Sequence, residues 1–335
     1  MPTVLERLNY ALLHVMETDE RVFLLGEDIL DPYGGAFKVT RGLSTRFPDR
    51  VLTTPISEAA IVGVCSGMAM RGLRPVAEIM FGDFVTLTAD QVINHASKFR
   101  WMYNEQVRVP VVVRAPMGGR RGYGPTHSQS LEKLFLGVPG LKVVAPNTLH
   151  DPAQLLEASI CQDEMPVMFV EHKLLYPCAL LEASKGDLLD LQIESNGTDF
   201  PTHVLRFTAS PRADLTLATY GYNFELARAA ALKLAYEYEI FVELVLFSQL
   251  SPFELEPLFD SVRRTRNLLT IEEGTLTLGW GAEVAARTAS LQSNVRIGRV
   301  AALDLPVANA KTLEDAILPS VERVIESTLK MIGNP

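Results

Sequence analysis

Only three cysteines, Cys65, Cys161 and Cys178, are scattered over 335 residues. An odd count without close spacing builds neither a disulfide framework nor a zinc site. Basic residues are also scarce: 31 Lys and Arg stand against 40 Asp and Glu, a formal charge of −9, and no basic run concentrates them. Such a chain is poorly suited to wrapping nucleic acid or an anionic membrane. No apolar stretch approaches the ~20 residues of a membrane span, and no charged start leads into an apolar signal run. The expectation is a soluble, cytoplasmic protein with neither nucleic acid nor membrane as partner. A Walker lysine loop, a Gly-x-Ser-x-Gly elbow and a His-Glu-x-x-His pair are all missing, as are short repeats and low-complexity tracts.

What is present is an ordinary globular balance, 47% hydrophobic and 21% charged. At roughly 150 residues per domain the length suggests two domains. Thr3-Val-Leu-Glu6 has the capping-box pattern, and Leu5, Leu8, Leu12 and Met16 follow at helical spacing. Val22–Leu25 is a short buried strand running into Gly26-Glu27-Asp28. Ala59–Met70 is apolar nearly all round and carries no charge, which predicts a helix buried on every side. Strands over Val76–Met80, Val109–Val113, Lys142–Ala145 and Val167–Val170 alternate with helices over Thr88–Met102 and Pro152–Cys161. Continuous apolar strands separated by helices imply a parallel sheet covered on both faces. Residues 184–202 are polar and turn-rich without helical periodicity, and read as a linker. Alternation restarts with a strand at Leu215–Ala218, a helix at Asn223–Tyr236, a strand at Ile240–Phe247, a helix at Pro252–Arg264 and a strand at Asn267–Ile271. The fold class is therefore α/β, two tandem domains at 1–183 and 203–335 joined by 184–202.

Four positions stand out for chemistry. Ser57 can cap the helix that follows, placing Glu58 in its first turn. A solvated Glu there would merely complement the helix dipole. If the helix is buried, however, the carboxylate is buried with it and needs something to bind. Thr126-His-Ser-Gln129 is another capping-box pattern and would put His127 at a helix start, directly after Gly118-Gly-Arg-Arg-Gly-Tyr-Gly124. The dipole at such a position favours a neutral imidazole able to exchange protons near pH 7; a surface histidine at a loop end is the plainer alternative. The glycine segment lacks the Gly-x-Gly-x-x-Gly dinucleotide spacing and reads as a flexible loop near a site. Phe81 and Phe84, between strand and helix, are either core or a platform for a flat ring. The other five histidines show no paired spacing.

Gly26-Glu-Asp28, Thr54-Pro-Ile-Ser-Glu58, Arg71-Gly-Leu-Arg-Pro75, Asp90-Gln-Val-Ile-Asn94, His127-Ser-Gln129 and Pro139-Gly-Leu-Lys-Val-Val144 occur in this order. Ile271-Glu-Glu-Gly274, Gly281-Ala-Glu283 and Ala310-Lys-Thr-Leu-Glu314 continue the series. Together they resemble the beta subunit of the thiamine diphosphate-dependent 2-oxo acid dehydrogenases, the pyruvate, branched-chain and acetoin group, over nearly the whole chain. The resemblance implies a transketolase-like pyrimidine-binding domain and a smaller C-terminal α/β domain. It also implies an alpha partner in a two-plus-two heterotetramer, oxidative decarboxylation of a 2-oxo acid, and acyl transfer to a lipoyl-bearing acyltransferase. By resemblance Glu58 bonds the aminopyrimidine ring and favours its imino tautomer, Phe84 packs against that ring, and Glu27 also binds the cofactor. His127 corresponds to the histidine that stabilises intermediates or exchanges protons during acyl transfer.

The superfamily holds diphosphate and magnesium with a Gly-Asp-Gly sequence, and none occurs in this chain. Magnesium is therefore expected mainly on the alpha partner, and the chain alone is expected to be inactive. Carbonyl-bound monovalent cations leave no side-chain signature and none is assigned. The chain departs from the family pattern at Thr53, at Ala308-Asn-Ala-Lys311 and at Arg120-Arg121. These departures keep open a split transketolase or biosynthetic transferase that uses no lipoyl arm, and a non-catalytic scaffold subunit.

Overall fold

The structure is a computed structural model that describes residues 1–182, 191–208, 210, 212–291 and 294–333. It divides into two compact units: Met1–Gly118 with Leu134–Leu180, and Gly119–Lys133 with Leu181–Pro335.

In the first unit the capping box forms as the sequence dictates. Thr3 Oγ1 accepts from Glu6 N and the Glu6 carboxylate accepts from Thr3 N, opening α1 (Val4–Thr18). Then come β1 (Val22–Gly26), α2 (Leu43–Arg46), β2 (Val51–Thr53), α3 (Glu58–Met70) and β3 (Arg74–Glu78). The remainder is α4 (Val85–Asp90), α5 (Ser97–Met102), β4 (Val112–Met117), β5 (Lys142–Val144), α6 (Pro152–Cys161) and β6 (Val167–His172). The six strands lie in the order β5-β6-β4-β3-β1-β2 and every pair is parallel. Asp151 caps α6 and also accepts from Arg7 Nε and Nη2 at 2.9 and 2.6 Å, tying α1 to α6.

Three elements differ from the reading of the sequence. The strand expected at 109–113 begins at Val112, because Pro110 has no N–H to give a ladder. The helix expected at 88–102 starts earlier and widens into a π-helical turn over Gln91–Ala96. The α3 helix is not buried all round. Ile61, Val62, Cys65 and Ala69 are buried, but Ala60, Val64 and Gly67 face out, Val64 at 54% exposure. An apolar perimeter records what a helix tolerates, not what its own chain supplies to cover it.

Ionisable side chains are built into the middle of this sheet. Arg114 donates to both Glu171 oxygens at 2.7 and 2.9 Å and to Glu78 Oε2 at 2.8 Å. Tyr176 O–H adds a bond of 2.6 Å to Glu171. Burial pushes the Glu78 carboxyl upward against the pull of Arg114, with Glu171 adding to the rise.

The second unit carries β7 (Leu191–Ser195), β8 (Thr202–Phe207), β9 (Leu215–Tyr220), α7 (Asn223–Tyr238), β10 (Val242–Phe247), β11 (Gln249–Ser251), α8 (Glu256–Thr265), β12 (Asn267–Thr275), α9 (Trp280–Leu291), β13 (Arg296–Ala302), α10 (Lys311–Ile317) and α11 (Val321–Ile332). Its six-stranded sheet runs β13-β12-β9-β10-β8-β7. The first four strands are parallel, and β8 and β7 are antiparallel additions at one edge. The expected linker thus needs correction: 184–190 lies outside the described residues, while 191–195 is an edge strand. Leu191 and Ile193 alternate with Gln192 and Glu194, the period of two that a strand shows and helical spacing does not.

Glu272, fully buried on β12, lies against two glycines. A Cβ at Gly279 would fall 2.4 Å from its Oε2, and one at Gly281 would fall 2.8 Å from Oε1. Gly281 N donates to it at 2.9 Å and Arg299 at 3.1 Å. Burial, opposed by Arg299 and reinforced by nearby Glu132, pushes its carboxyl up to about 7. An unfolded glutamate releases its proton near 4.5, so the folded state binds the extra proton between those values. Stability from this group is complete below pH 4.5 and falls by up to about 3 kcal/mol as pH rises to 7. We expect Glu272→Gln to flatten the fall in thermal midpoint between pH 5 and pH 8. Parallel pH profiles for variant and wild type would refute this assignment.

Candidate active site

Sheet order brings three of the four residues that the resemblance assigns to the site to one end of the sheet. Glu27 follows β1, Glu58 follows β2 at the head of α3, and Phe84 follows β3 in the turn Gly82–Phe84. The strands β3, β1 and β2 are neighbours and parallel, so all three residues leave the same carboxyl end. The chain steps from β1 to β2 on one side and returns to β3 on the other. A parallel sheet opens a crevice at such a reversal, and ligands of α/β sheets bind there.

Glu27 and Glu58 are both buried, at 8% and 6% exposure. Glu27 accepts from Ser57 N, yet burial and the charges of Glu58 and Asp28 outweigh that bond and push its carboxyl upward. Its Oε1 has no hydrogen-bond partner among the described residues. Ser57 is at the N-cap of α3 as expected, but its side chain makes no cap bond; its backbone N–H is the group turned to Glu27. Two close, buried acids, one with an orphaned oxygen, form a set that a ligand bringing hydrogen-bond donors would satisfy.

The half-buried Phe84 ring meets Phe81 edge-on at 6.0 Å, and Phe81 meets Phe37 at 5.5 Å. Gly82 permits the turn, because a Cβ there would sit 3.0 Å from the Met117 backbone. Beneath this edge Glu78 and Arg114 anchor β3 to β4. Gly35, with φ of +78°, passes Glu78 so closely that a Cβ would come within 2.4 Å of its Oε1. This buried network went unrecognised in the sequence, although Glu78, Arg114 and Glu171, charges set inside apolar strands, were its visible signal.

His127 belongs to the second unit. No helix begins at 126–129, so the helix-end field expected to keep its ring neutral is absent. Instead His127 occupies a turn closed by His127 N to Gly124 O, is half-buried, and has Thr126 Oγ1 3.0 Å from Nδ1. The capping-box letters fail here because the residues after Gln129 turn at once into a short 3₁₀ segment, Glu132–Leu134. The glycine loop before His127 packs against its own unit. Gly122 and Gly124 lie over Asn309, with Cβ positions 3.2 Å from its carbonyl oxygen and 3.6 Å from its Cβ. Two separate departures from the family pattern, Arg120-Arg121 and Asn309, thus share one corner of this unit. Among the described residues no cluster of three or more His, Cys, Asp or Glu is arranged to hold a metal ion, and no helix is long and apolar enough to cross a membrane.

Comparison with known proteins gives the family. A model of the transketolase pyrimidine-binding domain matches residues 2–179, and one of the transketolase C-terminal domain matches residues 208–324. The mitochondrial pyruvate dehydrogenase E1 component subunit beta of Drosophila melanogaster is 37% identical, covering 99% of this chain and 89% of that protein. The acetoin:2,6-dichlorophenolindophenol oxidoreductase subunit beta of Bacillus subtilis is 35% identical, covering 98% and 97%. A solved split-gene transketolase, described as an inactive beta4 tetramer, superposes with a TM-score of 0.74 at 19% identity over 99% of each chain, a likeness of fold. With both domains matched in order and full-length relatives above 30% identity, this chain belongs to the beta-subunit family of the thiamine diphosphate-dependent 2-oxo acid dehydrogenases.

Proposed function

We propose that the sheet end carrying Glu27, Glu58 and Phe84 is the pyrimidine half of a 2-oxo acid dehydrogenase site that an alpha partner completes. The observation that carries this reading is the buried acid pair at the sheet's reversal point, with Glu27 Oε1 left without a hydrogen-bond partner among the described residues. Thiamine diphosphate, when bound, supplies the nucleophilic carbon and electron sink for decarboxylation. Glu58 is assigned the hydrogen bond to the aminopyrimidine ring and the proton shared across it, Glu27 the burial of a neighbouring N–H, and Phe84 the packing of the ring. His127 is assigned the proton delivered to the leaving sulfur during transfer to a lipoyl disulfide, a role typically worth ~10²–10⁴-fold.

The diphosphate and magnesium fall to the alpha partner, since this chain lacks Gly-Asp-Gly. The uncovered stripe of α3, with Val64 at 54% and nearby Ile56 at 85% exposure, supports a protein partner in a two-plus-two assembly. The shared corner of Arg120, Arg121 and Asn309 keeps a non-lipoyl acceptor as the second reading. The cytoplasm remains the proposed location; all three cysteines are free, as in a reducing compartment, while the fly relative is named mitochondrial.

Calorimetry tests the split site. The isolated chain with magnesium should bind thiamine diphosphate more weakly than about 100 µM, and the complex with its alpha partner at least ~100-fold more tightly. Micromolar binding without a partner would overturn the assignment. A complex that decarboxylates a 2-oxo acid but never acylates a lipoyl domain would favour the second reading.

A further inference from the structure

Two motifs in the C-terminal half, Ile271-Glu-Glu-Gly274 and Ala310-Lys-Thr-Leu-Glu314, have no part in the site described so far. The structure shows where their acids go. Gly119 N donates to Glu273 Oε1 at 2.7 Å, and the very next amide, Arg120 N, donates to Glu314 Oε1 at 2.6 Å. Glu273 and Glu314 are 4% and 3% exposed. Two consecutive loop amides are thus held by two buried carboxylates from β12 and α10, the kind of charge-assisted bond that is roughly twice as strong as a neutral one.

Arg120 completes the clamp. Its guanidinium donates to the Pro319 carbonyl, and its Nε lies 3.8 Å from Glu273 Oε2. Its φ is +68°, a left-handed conformation that a non-glycine residue keeps only when its surroundings over-determine it. A side chain at Gly119 would push on the clamp itself, because a Cβ would stand 2.7 Å from Leu318 Cδ1 and 3.2 Å from Glu314 Oε1. Downstream, Ser130 Oγ donates to Glu273 Oε1 at 3.4 Å, and Tyr220 O–H donates to Glu132 Oε1. The loop is therefore pinned on both sides of His127, while Arg121 stands exposed between the pins.

We infer that Glu273 and Glu314 are positioning residues that fix the loop carrying His127, and that Arg120 is a latch in the same device and not a substrate ligand. This rests on the reading of His127 as a proton donor in acyl transfer.

Trypsin reads the loop without any cofactor. In the full-length chain, Glu314→Ala should speed cleavage after Arg120 or Arg121 by about tenfold, because an opened turn exposes the backbone to the protease. Glu314→Gln, which keeps an acceptor oxygen, should stay within about twofold of wild type. Glu273→Gln gives a second variant should Glu314→Ala fail to fold, with faster cleavage expected because its ion pair with Arg120 is lost. Unchanged cleavage in Glu314→Ala and Glu273→Gln would overturn the proposal.

In the complex with the alpha partner, single-turnover lipoyl acylation by Glu314→Ala should fall about tenfold. Decarboxylation read with an artificial acceptor should stay within about threefold. Adding Glu314→Ala to His127→Ala should cause no further loss, since the loop then has nothing to position. Additive losses would make Glu314 merely structural and overturn the positioning role. An inert His127→Ala, together with faster cleavage in Glu314→Ala, would instead sink the reading of His127 and leave the clamp standing.

Discussion

Glu58→Gln is expected to leave folding intact and to slow decarboxylation by the assembled complex at least ~1,000-fold, about 4 kcal/mol of barrier. The fold should tolerate it because no hydrogen bond or ion pair engages the Glu58 side chain among the described residues; its recorded neighbour is another acid, Glu27. Replacing a buried, unpaired carboxylate by an amide of equal size removes repulsion and creates no hole. The chemistry should not tolerate it, because an amide cannot share a proton with a ring nitrogen. A second readout follows: with Glu58 neutralised, the Glu27 carboxyl should titrate lower, since the charge of Glu58 helps to push it up. Carbon-13 labelled glutamate spectra would show this in the isolated chain. Turnover within about threefold of wild type would reduce Glu58 to a helix-start acid.

Arg114→Leu should be the most destabilising single change in the first unit, by about 3–5 kcal/mol. Burial opposes the Arg114 charge, but Glu171 and Glu78 outweigh it and hold the guanidinium protonated. Removing it strands two carboxyls, one of them 2% exposed, in the interior of a sheet. Adding Glu171→Gln should recover part of the loss, since one buried charge then disappears. Urea midpoints, with hydrogen exchange followed across β3, β4 and β6, would measure both. A loss below about 1 kcal/mol would mean that water reaches Glu78 and Glu171 once Arg114 is gone.

The α/β alternation was legible because continuous apolar strands and amphipathic helices announce their periods locally. The capping box at Thr3 and Glu6 formed as written, since both partners lie within one turn. The same four-letter logic failed at Thr126–Gln129. There the chain is held by Glu273, Glu314 and Tyr220, and such distant tethers outweigh a local preference worth ~1 kcal/mol. The edge strand at 191–195 was missed because five residues exposed on one face carry a weak signal.

The sequence by itself therefore determined the element types, the two-domain order and the identity of the unusual residues: an acid before an apolar helix, a histidine after a glycine loop, aromatics after a strand. Their motifs in order also pointed to the family. Only the tertiary structure decided which of them share one end of a sheet. Glu27, Glu58 and Phe84 are separated by up to 57 positions, and they converge because β3, β1 and β2 pair in that order and in parallel. Tertiary structure also decided that segment 119–133 belongs with the second unit. Its amides find their carboxylates on β12 and α10, more than 150 residues away along the chain. Strand order and long-range hydrogen bonds are set by the lowest free energy of the whole packed chain, and no local window of sequence contains that information.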